Sequence, residues 1–179
     1  MQSFLFKSLC ENDFDLLYHW LQEPVINQWY ARGKSWTFED LKQKYLPRIK
    51  GKDNVPSFII YKKERPIGFI QYYCLTDHLP EGIQDFNHSL FKSYQANELV
   101  GLDLFVADQD NRGKGWGRQI LNCFMLKLPT TTKAVIVDPE SNNHRAIRCY
   151  LNTGFQPTNY SEDKTYTLLI KLLNRNGAL

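Results

Sequence analysis

The apolar positions of this chain fall into two periods, and the switches between them mark the elements. Residues 4–9 are apolar and β-favouring, which predicts a first strand. Phe14, Leu17, Tyr18 and Leu21 then recur at helical spacing, so a helix is expected that Asn12 caps and Pro24 ends, with Asp13 and Asp15 in its first turn. Residues 25–33 lose the period and carry two adjacent large aromatics, Trp29 and Tyr30, which reads as a loop. Thr37-Phe-Glu-Asp40 has the form of a capping box, with Asp in place of Glu or Gln, and opens a second helix bearing Leu41, Tyr45 and Ile49. After a loop at 51–56, residues 57–62 and 67–74 are strand-like, and the connection Lys63-Glu-Arg-Pro66 makes them an antiparallel hairpin. In the later of these strands Ile67, Phe69, Gln71 and Tyr73 share one face.

From 75 to 97 the pattern breaks down, and a structureless loop of that length is uncommon in a compact domain unless it is functional or disordered. Together with Glu98 it holds four carboxylates against one lysine, which is either a solvated face or an acidic lid that attracts a cation. Residues 99–106, Leu-Val-Gly-Leu-Asp-Leu-Phe-Val, predict a strand. A short linker leads to Arg112-Gly-Lys-Gly-Trp-Gly117 and to a helix-like run at 118–128, in which Ile120, Leu121, Phe124 and Leu128 keep helical spacing with Trp116. Residues 134–137 are continuously apolar, as in a strand buried on both faces. Asn142 or Asn143 then opens a helix through Leu151 with Gly154 at its C-terminal cap, Phe155 and residues 165–172 supply two last strands, and 174–179 form a tail. The order β-α-α-β-β-β-α-β-α-β-β predicts an α/β (mixed α+β) fold, a central mixed sheet flanked by helices, in one domain over residues 1–179 without internal repeats.

Composition narrows the classes. With 42% hydrophobic and 14% aromatic residues the chain is expected to fold rather than stay disordered. No apolar run approaches the ~20 residues that span a bilayer, so no membrane partner is expected. The N-terminus lacks a basic stretch followed by a long apolar core, which argues against a signal peptide and for a cytoplasmic protein. Cys10, Cys74, Cys123 and Cys149 are scattered in apolar stretches without a C-x-x-C pair, so buried reduced thiols and no metal site are expected. A net charge of +3 without a Lys/Arg run does not suggest a nucleic-acid partner.

The turn at 112–117 is the first candidate site. Gly113, Gly115 and Gly117 allow a tight turn and a close approach of backbone to ligand, and the start of the following helix favours an anion. Arg112, Lys114 and Arg118 bring positive charge to the same place, although a plain strand-to-helix connection uses similar glycines. Neither the P-loop spacing nor the dinucleotide G-x-G-x-x-G spacing is present.

What remains, Arg112-x-x-Gly115-x-Gly117 after an apolar strand, resembles the acetyl-coenzyme A site of the GNAT superfamily of N-acetyltransferases. The block from Asp138 to Phe155, with Asn143, Ala146, Tyr150 and Gly154-Phe155, is similar to that superfamily's later strand and helix. Gly101-Leu102-Asp103 and Asp138-Pro-x-x-x-Asn143-x-Arg-Ala-Ile-Arg-Cys-Tyr150 resemble the aminoglycoside 6'-N-acetyltransferases most closely, and acetylases of hydroxamate-siderophore biosynthesis look similar. The resemblance implies the GNAT fold and acetyl-coenzyme A as co-substrate, its diphosphate at Arg112, Gly113, Lys114, Gly115, Trp116, Gly117 and Arg118. It also implies that the pantetheine arm runs beside Leu104, Phe105 and Val106 and is held by Asn143. The implied partner is a small cationic amine, with the 6'-amine of an aminoglycoside the best-matched acceptor. A hydroxylamine or amino-acid amine in siderophore assembly, or a protein-modifying or non-catalytic coenzyme-binding module, is the alternative.

The residues themselves fit that chemistry to different degrees. Asn143 and Tyr150 are seven residues apart, two helical turns, so one face presents both. A phenol of pKa about 10 facing a thiol of about 8.5 can donate a proton only modestly uphill, which suits Tyr150 as general acid. Asp103, as a direct base, would take a proton from an alkylammonium about six pKa units above its own, a cost of about 8 kcal/mol. It therefore suits binding and orienting the ammonium better, unless burial raises its pKa. Asp138 could meet another ammonium or cap the following helix. Trp29 and Tyr30 either wall a polyhydroxylated substrate or pack on the core, and Gln71, polar on an apolar face, needs either a substrate or a main-chain partner.

Overall fold

The computed structural model describes residues 4–107, 112–158 and 164–173. The expected tail at 174–179 and most of the linker before Arg112 lie outside them. Seven strands, β1 (Phe4–Ser8), β2 (Ser57–Lys62), β3 (Arg65–Cys74), β4 (Leu99–Val106), β5 (Ala134–Val137), β6 (Gln156–Pro157) and β7 (Leu169–Leu172), pair in the order β1-β2-β3-β4-β5-β7-β6. β4 and β5 are parallel neighbours in the register Leu99↔Ala134 to Gly101↔Ile136, whereas β1–β2, β2–β3, β5–β7 and β6–β7 are antiparallel, so the sheet is mixed as expected. Among the described residues six α-helices accompany it: α1 (Phe14–Gln22), α2 (Pro24–Trp29), α3 (Phe38–Ile49), α4 (Leu90–Ser93), α5 (Trp116–Met125) and α6 (His144–Asn152).

Several expectations are corrected in detail. Asn12 does not cap α1, because a 3-10 turn at Glu11–Asp13 intervenes and Asp13 Oδ2 accepts from the Cys10 N–H at 3.0 Å. Residues 25–33 are not all loop: Pro24 ends α1 but also starts α2, since a proline at the first helical position gives up no hydrogen bond. The hairpin connection shrinks to Lys63-Glu64, with Lys63 left-handed at φ 57°, and Pro66 joins β3 opposite a register shift at Ile60/Tyr61 that accommodates its missing N–H. The stretch 75–97 gains α4 and part of a 3-10 turn at Ala96–Glu98, and it buries Ile83, His88 and Leu90. The strand expected at 165–172 is regular only in β7, with an isolated bridge from Tyr166 to Glu140. Cys10 is exposed and Cys74, Cys123 and Cys149 are half-buried, rather than buried, and all four cysteines are free.

The chain divides into two compact units, Met1–Gln71 with Asp103–Gly117, and Tyr72–Leu102 with Arg118–Leu179. In the former, Leu17, Trp20 and Leu21 of α1, Ile26 of α2, and Leu41 and Tyr45 of α3 bury against Ile59, Phe69 and Phe105 of β2, β3 and β4. Phe69 and Phe105 stack at 5.7 Å, and Trp20 meets Phe105 edge-on at 5.8 Å. Because side chains alternate along a strand, the face that carries Phe69 and Phe105 also carries Gln71 and Asp103. A Cβ at Gly68 would run into the Phe105 carbonyl oxygen, so β3 needs a glycine there.

The other unit buries all of β5 together with Ile120, Leu121 and Phe124 of α5. Tyr72 meets Phe124 at 6.1 Å, and Tyr150 of α6 packs edge-on against Phe155 at 5.5 Å. The glycine of the Gly101-Leu102-Asp103 motif has a packing reason: a Cβ there would overlap the Tyr73 ring.

Candidate active site

Asp103 sits inside β4, half-buried, and its carboxylate is one terminus of a chain of polar side chains. Gln71 Nε2 donates to Asp103 Oδ2 at 2.8 Å, and Arg48 Nη1 donates to Gln71 Oε1 at 2.7 Å. Arg48 Nε in turn donates to Asp53 Oδ2 at 2.9 Å. The partners of Gln71 are thus side chains on both sides, neither the main chain nor solvent, and the amide is 4% exposed. The local fold explains the last link. Gly51 turns left-handed after α3, and the N–H groups of Lys52 and Asp53 return to the Pro47 carbonyl at 2.8 and 3.2 Å, which brings the Asp53 carboxylate back under Arg48.

The same face carries Tyr30, Tyr45 and Lys44. Tyr30 leaves the end of α2 and packs edge-on against Phe105 at 4.8 Å and Phe69 at 5.9 Å, with its hydroxyl 3.4 Å from that of Tyr45. Burial, then the neighbouring Tyr45 and Asp103 charges, hold the Tyr30 hydroxyl well above its ordinary pKa, and burial pushes Tyr45 up to about 12. Both phenols therefore stay protonated at neutral pH. Lys44, one helical turn before Arg48, has Nζ at 5.1, 5.4 and 5.9 Å from the ring centres of Trp36, Tyr45 and Tyr30. Among the described residues it joins no ion pair. Burial first, then the Arg48 charge, lowers its pKa to about 8, with Asp103 acting in the opposite direction. Tyr30 is accordingly a core residue at the edge of this site, and Trp29 stands half-buried at the last position of α2.

In the glycine turn, Gly113 and Gly115 are left-handed at φ 84° and 81° on either side of Lys114, and α5 begins at Trp116. A Cβ at Gly115 would meet nothing within 4 Å, so the turn surface there is open. Left-handed glycines next to a helix start present backbone N–H groups to an anion. Arg112 has a different employment from that expected of a free charge. Its Nε donates to the Val106 carbonyl at 2.8 Å, and its Nη2 to the Ala107 carbonyl at 3.0 Å and to Glu23 Oε2 at 2.8 Å, so it ties the turn to the end of β4. The Trp116 ring lies 6.2 Å from Phe4 with Lys62 Nζ 3.6 Å above it. Lys114 and Arg118 are exposed. Leu104 and Val106 are half-buried, whereas the Phe105 side chain belongs to the core, leaving its backbone for any ligand contact.

In the other unit, Asn143 caps α6: its Oδ1 accepts from the Ala146 N–H at 3.1 Å. Tyr150 lies on α6, buried against Phe155. Asp138 does not cap the helix; its Oδ2 accepts from the Glu81 N–H at 2.6 Å and so fastens the stretch 75–97 to the end of β5. The carboxylates of that stretch are engaged locally as well. Asp85 Oδ1 accepts from the Asn87 N–H at 2.7 Å, Asp77 Oδ1 from the Thr76 hydroxyl at 3.1 Å, and Glu98 pairs with Lys133. Among the described residues no group of His, Cys, Asp and Glu could hold a metal ion, and no helix is long and apolar enough to cross a membrane.

Arg48, Asp53 and Lys44 were not singled out by sequence. The signal for Arg48 is its spacing: it continues the Leu41–Tyr45 stripe of α3 at i+7, a charge on an apolar face, as Gln71 is an amide on the apolar face of β3.

Comparison with known proteins gives a consistent picture. The family model described as "Acetyltransferase (GNAT) domain" matches residues 10–162. The aminoglycoside N(6')-acetyltransferase type 1 of Klebsiella pneumoniae is 29% identical over 152 residues, 83% of this chain and 71% of that protein. The solved aminoglycoside acetyltransferase AAC(6')-Ib in complex with coenzyme A and kanamycin superposes with TM-score 0.76 at 25% identity, covering 95% of both chains. The structure of AAC(6')-Ib with ribostamycin and coenzyme A superposes with TM-score 0.79 at 24% identity, over 98% of this chain and 99% of that one, a likeness of fold.

Proposed function

This chain belongs to the GNAT acetyltransferase family and is an N-acetyltransferase dependent on acetyl-coenzyme A, and from that premise we propose that its acceptor is the 6'-amine of an aminoglycoside. The observation that carries the proposal is the half-buried Asp103 carboxylate, held from one side by Gln71 on a face rich in aromatic rings. An ammonium is a suitable partner for such a carboxylate, and the named relatives act on aminoglycosides. The whole chain is read as one acetyltransferase domain, since the family match spans residues of both compact units. A reducing, cytoplasmic setting goes with the free thiols at Cys10, Cys74, Cys123 and Cys149.

The reaction joins the acceptor nitrogen to the acetyl carbon and breaks the bond from that carbon to sulfur. The coenzyme's diphosphate fits the backbone N–H groups of the turn at Gly113 and Gly115 and the start of α5, with Lys114 and Arg118 as its charges; Arg112 shapes the turn from behind. Leu104 and Val106, with the backbone of Phe105 between them, flank the arm. Asp103 holds the acceptor as an ammonium and positions its nitrogen. The proton that the ammonium must lose before attack leaves through solvent to the buffer base. Tyr150 supplies the proton that the departing thiolate takes up.

A second reading, acylation of a hydroxylamine or amino-acid amine, draws on a specific observation. Lys44 adds a cation within the electrostatic reach of Asp103 that joins no ion pair among the described residues, which suits an acceptor with fewer positive charges than an aminoglycoside. Thiol release measured with kanamycin and with N-hydroxylysine separates the two: the proposal expects the larger kcat/KM for kanamycin.

A further inference from the structure

We propose that Arg48 is a positioning residue for acceptor binding, acting on Asp103 through Gln71. The inference rests on the reading of Asp103 as the amine-holding group, and it adds a role for three residues of α3, its following turn and β3.

The geometry is a line of four side chains with alternating duties. Arg48 has donors only, so the Gln71 atom it meets at 2.7 Å is the amide oxygen. That fixes the amide the other way round at its far end, where Nε2 donates to Asp103 Oδ2 at 2.8 Å. The carboxylate is thereby held at one oxygen, and its other oxygen, without a hydrogen bond among the described residues, is left for the acceptor. Gln71 is 4% exposed, so water does not substitute for Arg48 as donor to its oxygen.

The neutral amide in the middle is as informative as the charges. Had Arg48 paired with Asp103 directly, a bidentate guanidinium would occupy the carboxylate and compete with the substrate ammonium. Gln71 passes on the position of Arg48 without laying its charge on Asp103. Asp53, accepting from Arg48 Nε at 2.9 Å with Arg48 12% exposed, neutralises that charge on the side away from Asp103. The arrangement keeps a rigid carboxylate whose negative charge is still available. A merely structural ion pair between Arg48 and Asp53 would not require the bond to Gln71.

The test is steady-state kinetics of the full chain with acetyl-coenzyme A and kanamycin, comparing wild type with Arg48→Met, Arg48→Lys, Asp53→Asn and Asp103→Asn. Arg48→Met is expected to raise KM for kanamycin about tenfold, the loss of one hydrogen bond from a charged donor, with KM for acetyl-coenzyme A within about twofold of wild type. The unchanged coenzyme KM doubles as the check that the variant is folded. Arg48→Lys, which can still donate to Gln71 Oε1, is expected to recover part of the loss. Asp53→Asn is expected to raise KM for kanamycin less than Arg48→Met does, by an amount that shrinks as salt screens the uncovered guanidinium. An Arg48→Met enzyme with wild-type KM for kanamycin, while Asp103→Asn raises it, overturns the positioning role alone. Equal rises in both KM values with no recovery by lysine would make Arg48 a structural residue and overturn it as well. If Asp103→Asn leaves KM for kanamycin unchanged, or wild type does not acetylate kanamycin, the underlying reading fails and the positioning role fails with it.

Discussion

Gln71 on β3 and Asp103 on β4 are joined side chain to side chain at 2.8 Å, on a face that also carries Phe69, Phe105, Tyr30, Tyr45 and Lys44. A carboxylate on an aromatic face costs free energy unless it is partnered, and one amide satisfies only part of its capacity. The remaining capacity is what a substrate ammonium meets.

Asp103→Asn is therefore expected to lower kcat/KM for an aminoglycoside by about tenfold to a hundredfold, the loss of a charge-assisted hydrogen bond of about 1.5–3 kcal/mol. Asp138→Asn should cost less, because that carboxylate is spent on the Glu81 N–H. Steady-state rates for the two variants check the order; a larger loss for Asp138→Asn contradicts it.

Tyr150→Phe is expected to lower kcat by about 10²- to 10⁴-fold, with little change in coenzyme affinity, since the ring still packs on Phe155. Single-turnover measurements, in which chemistry limits the rate, provide the check. An unchanged rate there removes Tyr150 from proton donation.

At Gly115 two substitutions separate backbone strain from charge. With φ at 81° and open space for a Cβ, Gly115→Ala should cost about 1 kcal/mol of stability yet retain coenzyme binding. Gly115→Asp carries the same strain and adds a negative charge against the diphosphate, so calorimetry should find coenzyme binding lost. Equal affinities for the two variants would place the diphosphate elsewhere.

Lys44 predicts a pH dependence. Its folded pKa of about 8 lies below the ordinary 10.5, so between those values the unfolded chain binds the extra proton and stability contributed by this group rises with pH. The penalty is fully present below pH about 8 and fades toward pH 10.5. Denaturant midpoints of wild type and Lys44→Met, measured from pH 7 to pH 10, should converge or cross in favour of wild type as pH rises. Parallel curves would mean that Lys44 is not held in a desolvated place.

Much of this was legible in the chain, because it is written in local patterns. β2, β4 and β5 appear where their apolar runs lie, and the Thr37–Asp40 box opens α3 with both reciprocal bonds. Asn143 caps α6 as one of the two asparagines expected to. Proline misled at α2, since the same residue both stops one helix and starts the next. Long-range partners were not legible. Nothing near Gln71 in sequence announces that Arg48, 23 residues earlier, takes its oxygen, or that Asp103, 32 residues later, takes its amide hydrogen. Arg112 shows the converse: its place in a phosphate-binding signature predicted a ligand contact, but its guanidinium is bonded to Glu23 and to carbonyls of its own chain. The acidic stretch 75–97 left a solvated face and a lid both open by charge alone, and hydrogen bonds within the fold occupy Asp77 and Asp85.

The central claim, acetyl transfer to an aminoglycoside amine held by Asp103, is tested most directly by thiol release from acetyl-coenzyme A with kanamycin, N-hydroxylysine and a lysine-rich peptide as acceptors, at two salt concentrations. The account predicts the highest kcat/KM with kanamycin, a rate that falls as salt rises, and a product acetylated at the 6'-nitrogen. A faster reaction with N-hydroxylysine or with the peptide, or no amine-dependent thiol release at all, would contradict it.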